Sequence, residues 1–66
     1  MEAVWQLEMT WPASRDTFLS AVREYGGDDA GDGRAVFHRY RSAEICAQIL
    51  SLRLGHAPEM RLLLRA

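Results

Sequence analysis

The chain has 66 residues, which suffice for one small domain over residues 1–66 but only for a thin core, and such domains often need a partner subunit. The single cysteine, Cys46, excludes a disulfide within the chain, and the lack of a leader pattern or of an apolar run of about 18 residues predicts a cytoplasmic protein with no membrane contact. The net charge of −1 divides into −5 over residues 1–33, with seven acidic residues against two arginines, and +4 over residues 34–66, with six arginines against two glutamates.

The first two elements are predicted from periodicity. Residues 3–11, AVWQLEMTW, alternate between apolar and mostly polar side chains, which indicates a half-buried strand. Pro12 ends that strand because proline has no N–H to donate, and we expect Trp11 to lie over the core rather than to anchor a partner. Apolar side chains at helical spacing then predict a helix over residues 14–25, which Gly26 ends.

The acidic loop over residues 26–33, GGDDAGDG, combines three aspartates with four glycines and therefore has to be weighed as a calcium site. If Asp28 is the first ligand, EF-hand spacing requires oxygen ligands at the third and twelfth positions, where this chain has Ala30 and Arg39. Clustered aspartates also repel phosphate, and no Gly-Lys-Ser/Thr completes a phosphate-binding loop. We expect a solvated turn, which leaves weak binding of a divalent ion open.

The second half of the chain predicts a strand over residues 34–41, a helix over 43–54 capped by Ser42 and ended by Gly55, and a strand over 59–65. Pro58 favours the last strand over a continued helix, and Met60, Leu62 and Leu64 share one side of that strand. The order β-α-β-α-β predicts a small two-layer α/β (or α+β) domain, a three-stranded sheet with two helices on one face. Strands in sequential order would pair in parallel, but an antiparallel arrangement of one strand stays open.

The register of the middle strand decides what the uncovered sheet face presents. One register exposes Phe37 together with Arg39 and Arg41 and buries Val36, His38 and Tyr40. The other register buries the phenyl ring and both arginines together with Ala35. Burying two unpaired guanidinium groups costs more than exposing one phenyl ring, so we expect all three to point outward. The residues predicted to contact a partner on this face are Val4, Glu8, Phe37, Arg39, Arg41, Arg61, Leu63 and Arg65.

The sequence does not predict an enzyme. His38 and His56 have no metal-ligand spacing with Cys46, and no serine stands in a nucleophile-elbow pattern. We therefore expect no catalytic residue, no metal and no cofactor, and we expect Cys46 to be a small buried hydrophobe.

We interpret the chain as a non-catalytic protein–protein interaction module, self-associating or adaptor-like, that uses its uncovered sheet face. The opposite charges of the two halves can be satisfied inside the fold, by a second copy or by a charged partner. The alternative is a small domain that binds single-stranded RNA or DNA, with Phe37 stacking on a base among arginines. An isoelectric point near 6.0 and the acidic loop weigh against that alternative, because binding to phosphates requires a positive surface.

Overall fold

Within residues 2–9 and 15–65, which the structure describes, two helices pack against one face of a four-stranded antiparallel sheet. The structure is a computed structural model. The elements are β1 (Glu2–Glu8), α1 (Arg15–Glu24), β2 (Asp28–Gly31), β3 (Arg34–Phe37), α2 (Tyr40–Leu54) and β4 (Glu59–Arg65). The predicted two-layer fold with both helices on one face is confirmed, although the sheet has four strands rather than three. The predictions for Trp11 and Pro12 fall outside the described residues.

The additional strand, β2, lies in the acidic loop, so the prediction of a solvated turn there is wrong for residues 28–31. Asp32 and Gly33 alone form the turn between β2 and β3, with φ values of 54° and 75°. Two central residues with positive φ are typical of a type I′ hairpin turn, for which Asp-Gly is a favoured pair. The four residues of β2, DDAG, contain neither β-branched side chains nor an alternating pattern, and they therefore gave no strand signal.

The strand order β2-β3-β1-β4 explains why both helices share a face. Each neighbouring pair of strands is antiparallel, so β1 and β2 run in the same direction with β3 between them. In the same way β3 and β4 run in one direction with β1 between them. This is the split βαβ motif, and right-handed crossovers through α1 and α2 place both helices on one side of the sheet. The parallel pairing that sequential strand order would give is absent among these four strands because each crossover spans an inserted strand.

Two faces of the sheet follow from the pairing of β1 with its neighbours, because directly opposed residues point to the same side. Trp5 lies opposite Phe37 of β3 and Leu62 of β4, and Leu7 lies opposite Met60. These residues belong to the face that the helices cover. The other face, called the open face here, carries Glu2, Val4, Gln6 and Glu8 of β1 with Asp28, Arg34, Val36, Glu59, Arg61 and Leu63 of the neighbouring strands.

The core lies between the helices and the covered face. The strands and the residue after β1 contribute the buried side chains Leu7, Met9, Ala35 and Phe37, and the helices contribute Phe18, Ala21, Val22, Ala43, Cys46 and Leu50. In each helix these positions recur at intervals of three or four residues, which is the spacing of an amphipathic helix. Gly55 ends α2 as predicted, with a φ of 76° and an N–H that donates to the Ser51 carbonyl at 2.9 Å. Neither described helix is long and apolar enough to span a bilayer.

The junction between β3 and α2 differs from the prediction. β3 ends at Phe37 rather than at residue 41, and α2 begins at Tyr40, with Arg39 rather than Ser42 at the N-cap position. The backbone therefore turns away from the sheet before it reaches Arg39. Because Arg39 and Arg41 are exposed at the start of a helix, burial of Phe37 does not bury either guanidinium group. The prediction that Phe37 points outward is wrong for this reason.

Cys46 is fully buried, as predicted, and its burial raises the pKa of the thiol from its ordinary value of 9.0 to about 11. A folded-state pKa above that of the unfolded chain means that the neutral thiol stabilises the fold. This contribution is complete below pH 9.0, and it is lost as the pH rises towards about 11.

We expect iodoacetamide at pH 8 to alkylate Cys46 in the folded domain at least ~100-fold more slowly than in denaturant. Local unfolding has to expose the buried thiol before it can react. Equal alkylation rates in buffer and denaturant would show that the thiol is accessible and would contradict the burial.

The Cys46→Ala variant should lose less stability than the wild type between pH 9 and pH 11, which denaturant unfolding at several pH values measures.

Candidate functional site

The open face does not have the apolar centre that the sequence predicted. Phe37 is 0% exposed on the opposite face, in the core, and Val4 is 0% exposed although it lies on the open face. Val36 is also buried, and Leu63 is half-buried. Without Phe37 and Val4 the open face offers little apolar surface to a partner.

Ion pairs join the two oppositely charged halves of the chain across this face. Arg34 lies 4.0 Å from the carboxylate of Glu8 and 3.5 Å from that of Asp32. The imidazole of His38 lies 3.8 Å from Glu2 and 4.0 Å from Asp28.

A further contact of this kind lies between the helices, where Arg53 is 4.0 Å from the carboxylate of Glu24. The Arg34 and Arg53 pairs link acidic residues of the first half to arginines of the second half. Exposed pairs of this kind contribute little to stability, but they neutralise part of the charge division within one chain.

The predicted contact residues separate into four places. Val4, Glu8, Arg61 and Leu63 share the open face, Phe37 is in the core, Arg39 and Arg41 are at the start of α2, and Arg65 is in β4. Arg61 is held along its own strand, because its Nε and Nη2 atoms donate to Oε1 of Glu59 at 3.0 and 2.9 Å. The structure thus does not assemble the predicted set into one surface.

A different apolar surface lies on the helix side of the sheet, at the end of β1 and β4 that the helices leave free. We call it the uncovered patch, and it consists of Trp5, Tyr40, Leu62 and Leu64. Leu62 is 56% exposed, Leu64 is 62% exposed and Tyr40 is 48% exposed, while Trp5 is half-buried. Of the large apolar and aromatic side chains that are exposed in the described part of the chain, only Leu52 lies elsewhere.

The four side chains of the uncovered patch are continuous. The rings of Trp5 and Tyr40 meet edge to face, with centroids 5.9 Å apart and planes at 67°. Leu62 lies directly opposite Trp5 across the strand pair, and Leu64 follows two residues along β4 on the same face. The helices lie over β1, β2 and β3, so β4 is at the margin of the helix layer and this end of its covered face meets solvent.

The tyrosine at the rim of the patch is held by its own helix. The Tyr40 hydroxyl donates to Oε2 of Glu44, one turn further along α2, at 3.0 Å. This hydrogen bond and the negative charge of Glu44 raise the pKa of Tyr40 above its ordinary value. The hydroxyl therefore points along α2 to Glu44, while the ring lies beside Trp5.

The two edges of the sheet differ in how they are protected. β2 is four residues long and carries two aspartates, and its pairing with β3 shifts register between Asp29 and Gly31. The Gly31 N–H donates to Oδ1 of Asp29 at 2.8 Å. Short, charged and bulged strands are the usual means by which sheets block pairing with other chains.

β4, in contrast, runs for seven residues, EMRLLLR, in unbroken register with β1 and without proline. No described strand pairs with its outer side. This edge therefore presents a row of backbone N–H and C=O groups directly beside the uncovered patch, which is the arrangement that accepts an added strand.

A hollow of about 280 Å³ lies between the end of α1 and the start of α2. Its lining residues are Tyr25, Gly26, Phe37, His38, Arg39 and Ser42. The His38 imidazole is 55% exposed and lies 3.8 Å from the carboxylate of Glu2 and 4.0 Å from that of Asp28. In the parts of the chain that the structure describes, no group of three or more His, Cys, Asp or Glu residues is placed to hold a metal ion.

Sequence reasoning assigned Leu62 and Leu64 to the correct side of the sheet but missed the uncovered patch. The period of two shows which side chains share a face, whereas the extent of the helix layer depends on tertiary packing. Tyr40 was predicted to be buried in a strand, but it is the first residue of α2.

Comparison of this chain with protein-family models, with curated proteins and with solved structures found no match.

Proposed function

We propose that this domain is a non-catalytic protein–protein interaction module that binds its partner at the uncovered patch and along the adjoining β4 edge. The observation that carries this proposal is the continuity between exposed apolar side chains and an unpaired strand edge. An added strand gains main-chain hydrogen bonds from such an edge, while apolar side chains at alternate positions provide specificity. Tyrosine and tryptophan are also enriched in protein interfaces, where their rings bury a large area at a small cost in conformational entropy.

The thin core supports the same proposal. A domain of 66 residues buries a modest share of its apolar surface on folding, so covering Leu62 and Leu64 with a partner adds a useful contribution. Each fully buried leucine contributes about 1.5–3 kcal/mol relative to an exposed one. The open face has a smaller driving force for binding, because Val4 and Val36 are already buried and Leu63 is half-buried. Arg34 and Arg61 on this face are also paired with carboxylates of the same chain.

Binding of single-stranded nucleic acid is not proposed as a second function. That alternative relied on an exposed phenyl ring between arginines, and Phe37 lies in the core. Arg39 and Arg41 remain exposed on either side of the Tyr40 ring, but the net charge of −1 and the exposed aspartates of β2 weigh against binding to phosphates.

We expect a blocked peptide of the same length as β4, with leucine alternating with charged residues, to bind to the β4 edge. Amide chemical shifts, recorded at a concentration where the protein has the mass of one chain, should change in β4 and at Trp5 and Tyr40. The side-chain indole signal of Trp5 gives a second readout at the patch. Leu62→Lys should abolish these changes, because a charged group then occupies the centre of the patch.

The control for this experiment is Leu52→Lys, a matched substitution at a leucine that is 82% exposed on the solvent side of α2. This variant should bind the peptide as the wild type does. Shift changes on the open face instead of at β4 would refute the proposed surface, and no binding at millimolar peptide would refute the proposed function.

A further inference from the structure

We propose that the partner at the β4 edge is a second copy of this chain, paired antiparallel about a two-fold axis that passes beside Leu62. The inference rests on the proposed function, since it uses the same surface and names its occupant. The sequence of β4 supports this inference when β4 is taken as one strand of a pair related by two-fold symmetry.

A two-fold axis perpendicular to the sheet allows few registers. Opposed residues must share a face, so the axis lies beside a residue rather than between two. With the axis beside Leu62, all seven residues of β4 find a partner. Glu59 of each copy then stands opposite the partner's Arg65, which places opposite charges at both ends of the strand pair.

The two neighbouring registers are unfavourable. An axis beside Arg61 sets that arginine against its own copy, and an axis beside Leu63 sets Arg61 against the partner's Arg65. Like charges directly opposite each other destabilise a strand pair. Each of these registers also leaves residues at one end of β4 unpaired. The complementary charges and the full length of pairing therefore favour the same register.

The apolar side chains agree with this choice. On the helix side, Leu62 meets the same residue of the second copy, and Met60 meets the partner's Leu64. The two uncovered patches then join into one surface in the middle of a continuous eight-stranded sheet. The helices of each copy lie over β1, β2 and β3. The space beside β4 that leaves the uncovered patch of one chain exposed is therefore free for the uncovered patch of the second copy.

The first test is the solution mass as a function of concentration, by light scattering or sedimentation. We expect the wild type to move from the mass of one chain to that of two. Leu62→Lys should raise the dimer dissociation constant at least ~100-fold, because it removes apolar burial from both chains and sets two ammonium groups across the axis. Leu52→Lys, the matched control on α2, should dimerise as the wild type does.

The second test addresses the register. Glu59→Arg and Arg65→Glu should each raise the dissociation constant by roughly 3- to 30-fold, since each creates two like-charged pairs per dimer. The variant that carries both substitutions restores opposite charges and should dimerise within about threefold of the wild type. Circular dichroism of all variants checks that the fold is intact.

The outcomes separate this inference from the proposed function. A single-chain mass at every concentration overturns the second copy as partner, and the peptide titration then decides whether the β4 edge binds another protein. A dimer that Leu62→Lys leaves unchanged places self-association on a different surface and also overturns the inference. Failure of the double charge reversal to restore dimerisation overturns the register.

Discussion

Replacing Phe37 with alanine is expected to unfold the domain. The ring is 0% exposed and packs in the core with residues of both helices. Truncation of a buried phenylalanine costs about 3–5 kcal/mol through lost burial and the cavity that remains. A single core of this size rarely supplies more than roughly 3–5 kcal/mol of stability, so the substitution removes nearly all of it. Thermal and denaturant unfolding followed by circular dichroism should show no cooperative transition for Phe37→Ala.

Two control variants test whether the loss of stability comes from removing a buried ring. Phe37→Leu retains most of the apolar volume and should fold with a lowered midpoint, while Leu52→Ala, on the exposed side of α2, should unfold within about 0.5 kcal/mol of the wild type. A wild-type midpoint for Phe37→Ala would mean that the ring points away from the helices, as the sequence predicted. It would also restore the open face as a docking surface.

The wrong prediction for Phe37 shows what the periodicity of apolar side chains can and cannot predict. The alternation in β1 and the apolar spacing in both helices predicted these elements and their buried faces, because burial imposes a period of 2 on strands and of 3.6 on helices. The choice of register for the middle strand was sound for a strand that continues to residue 41. The chain instead starts α2 at Tyr40, where no side chain caps the helix and no sequence signal marks the boundary.

Two other features depended on tertiary structure rather than on local pattern. β2 is a strand because it pairs with β3 across an Asp-Gly turn, and its own side chains do not favour extended backbone. The uncovered patch exists because the helix layer stops short of one end of β1 and β4. Neither of these facts follows from the composition of the segments involved, whereas the buried cysteine and the glycine end of α2 were predicted locally.

Replacing Gly33 with alanine should cost the domain about 2–5 kcal/mol. Gly33 has a φ of 75°, which costs an L-residue roughly 1–2 kcal/mol. A Cβ at this position would also collide with the backbone carbonyl of Met9, which cannot swing aside as a flexible side chain does. Overpacking of this kind typically adds another 1–3 kcal/mol, and denaturant unfolding measures the sum.

The collision lies where β1 and β3 are joined beyond their regular ladder. The Met9 N–H donates to the Gly33 carbonyl at 2.8 Å, so moving either backbone loosens the hairpin from the centre of the sheet. Gly55→Ala is the matched control, because Gly55 has a φ of 76° but open space where the alanine methyl group would stand. It should lose only the roughly 1–2 kcal/mol of the backbone conformation. Equal losses for the two variants would show that β1 and the hairpin turn do not approach each other at Met9, and the register of β1 against β3 would then have to differ from the one described.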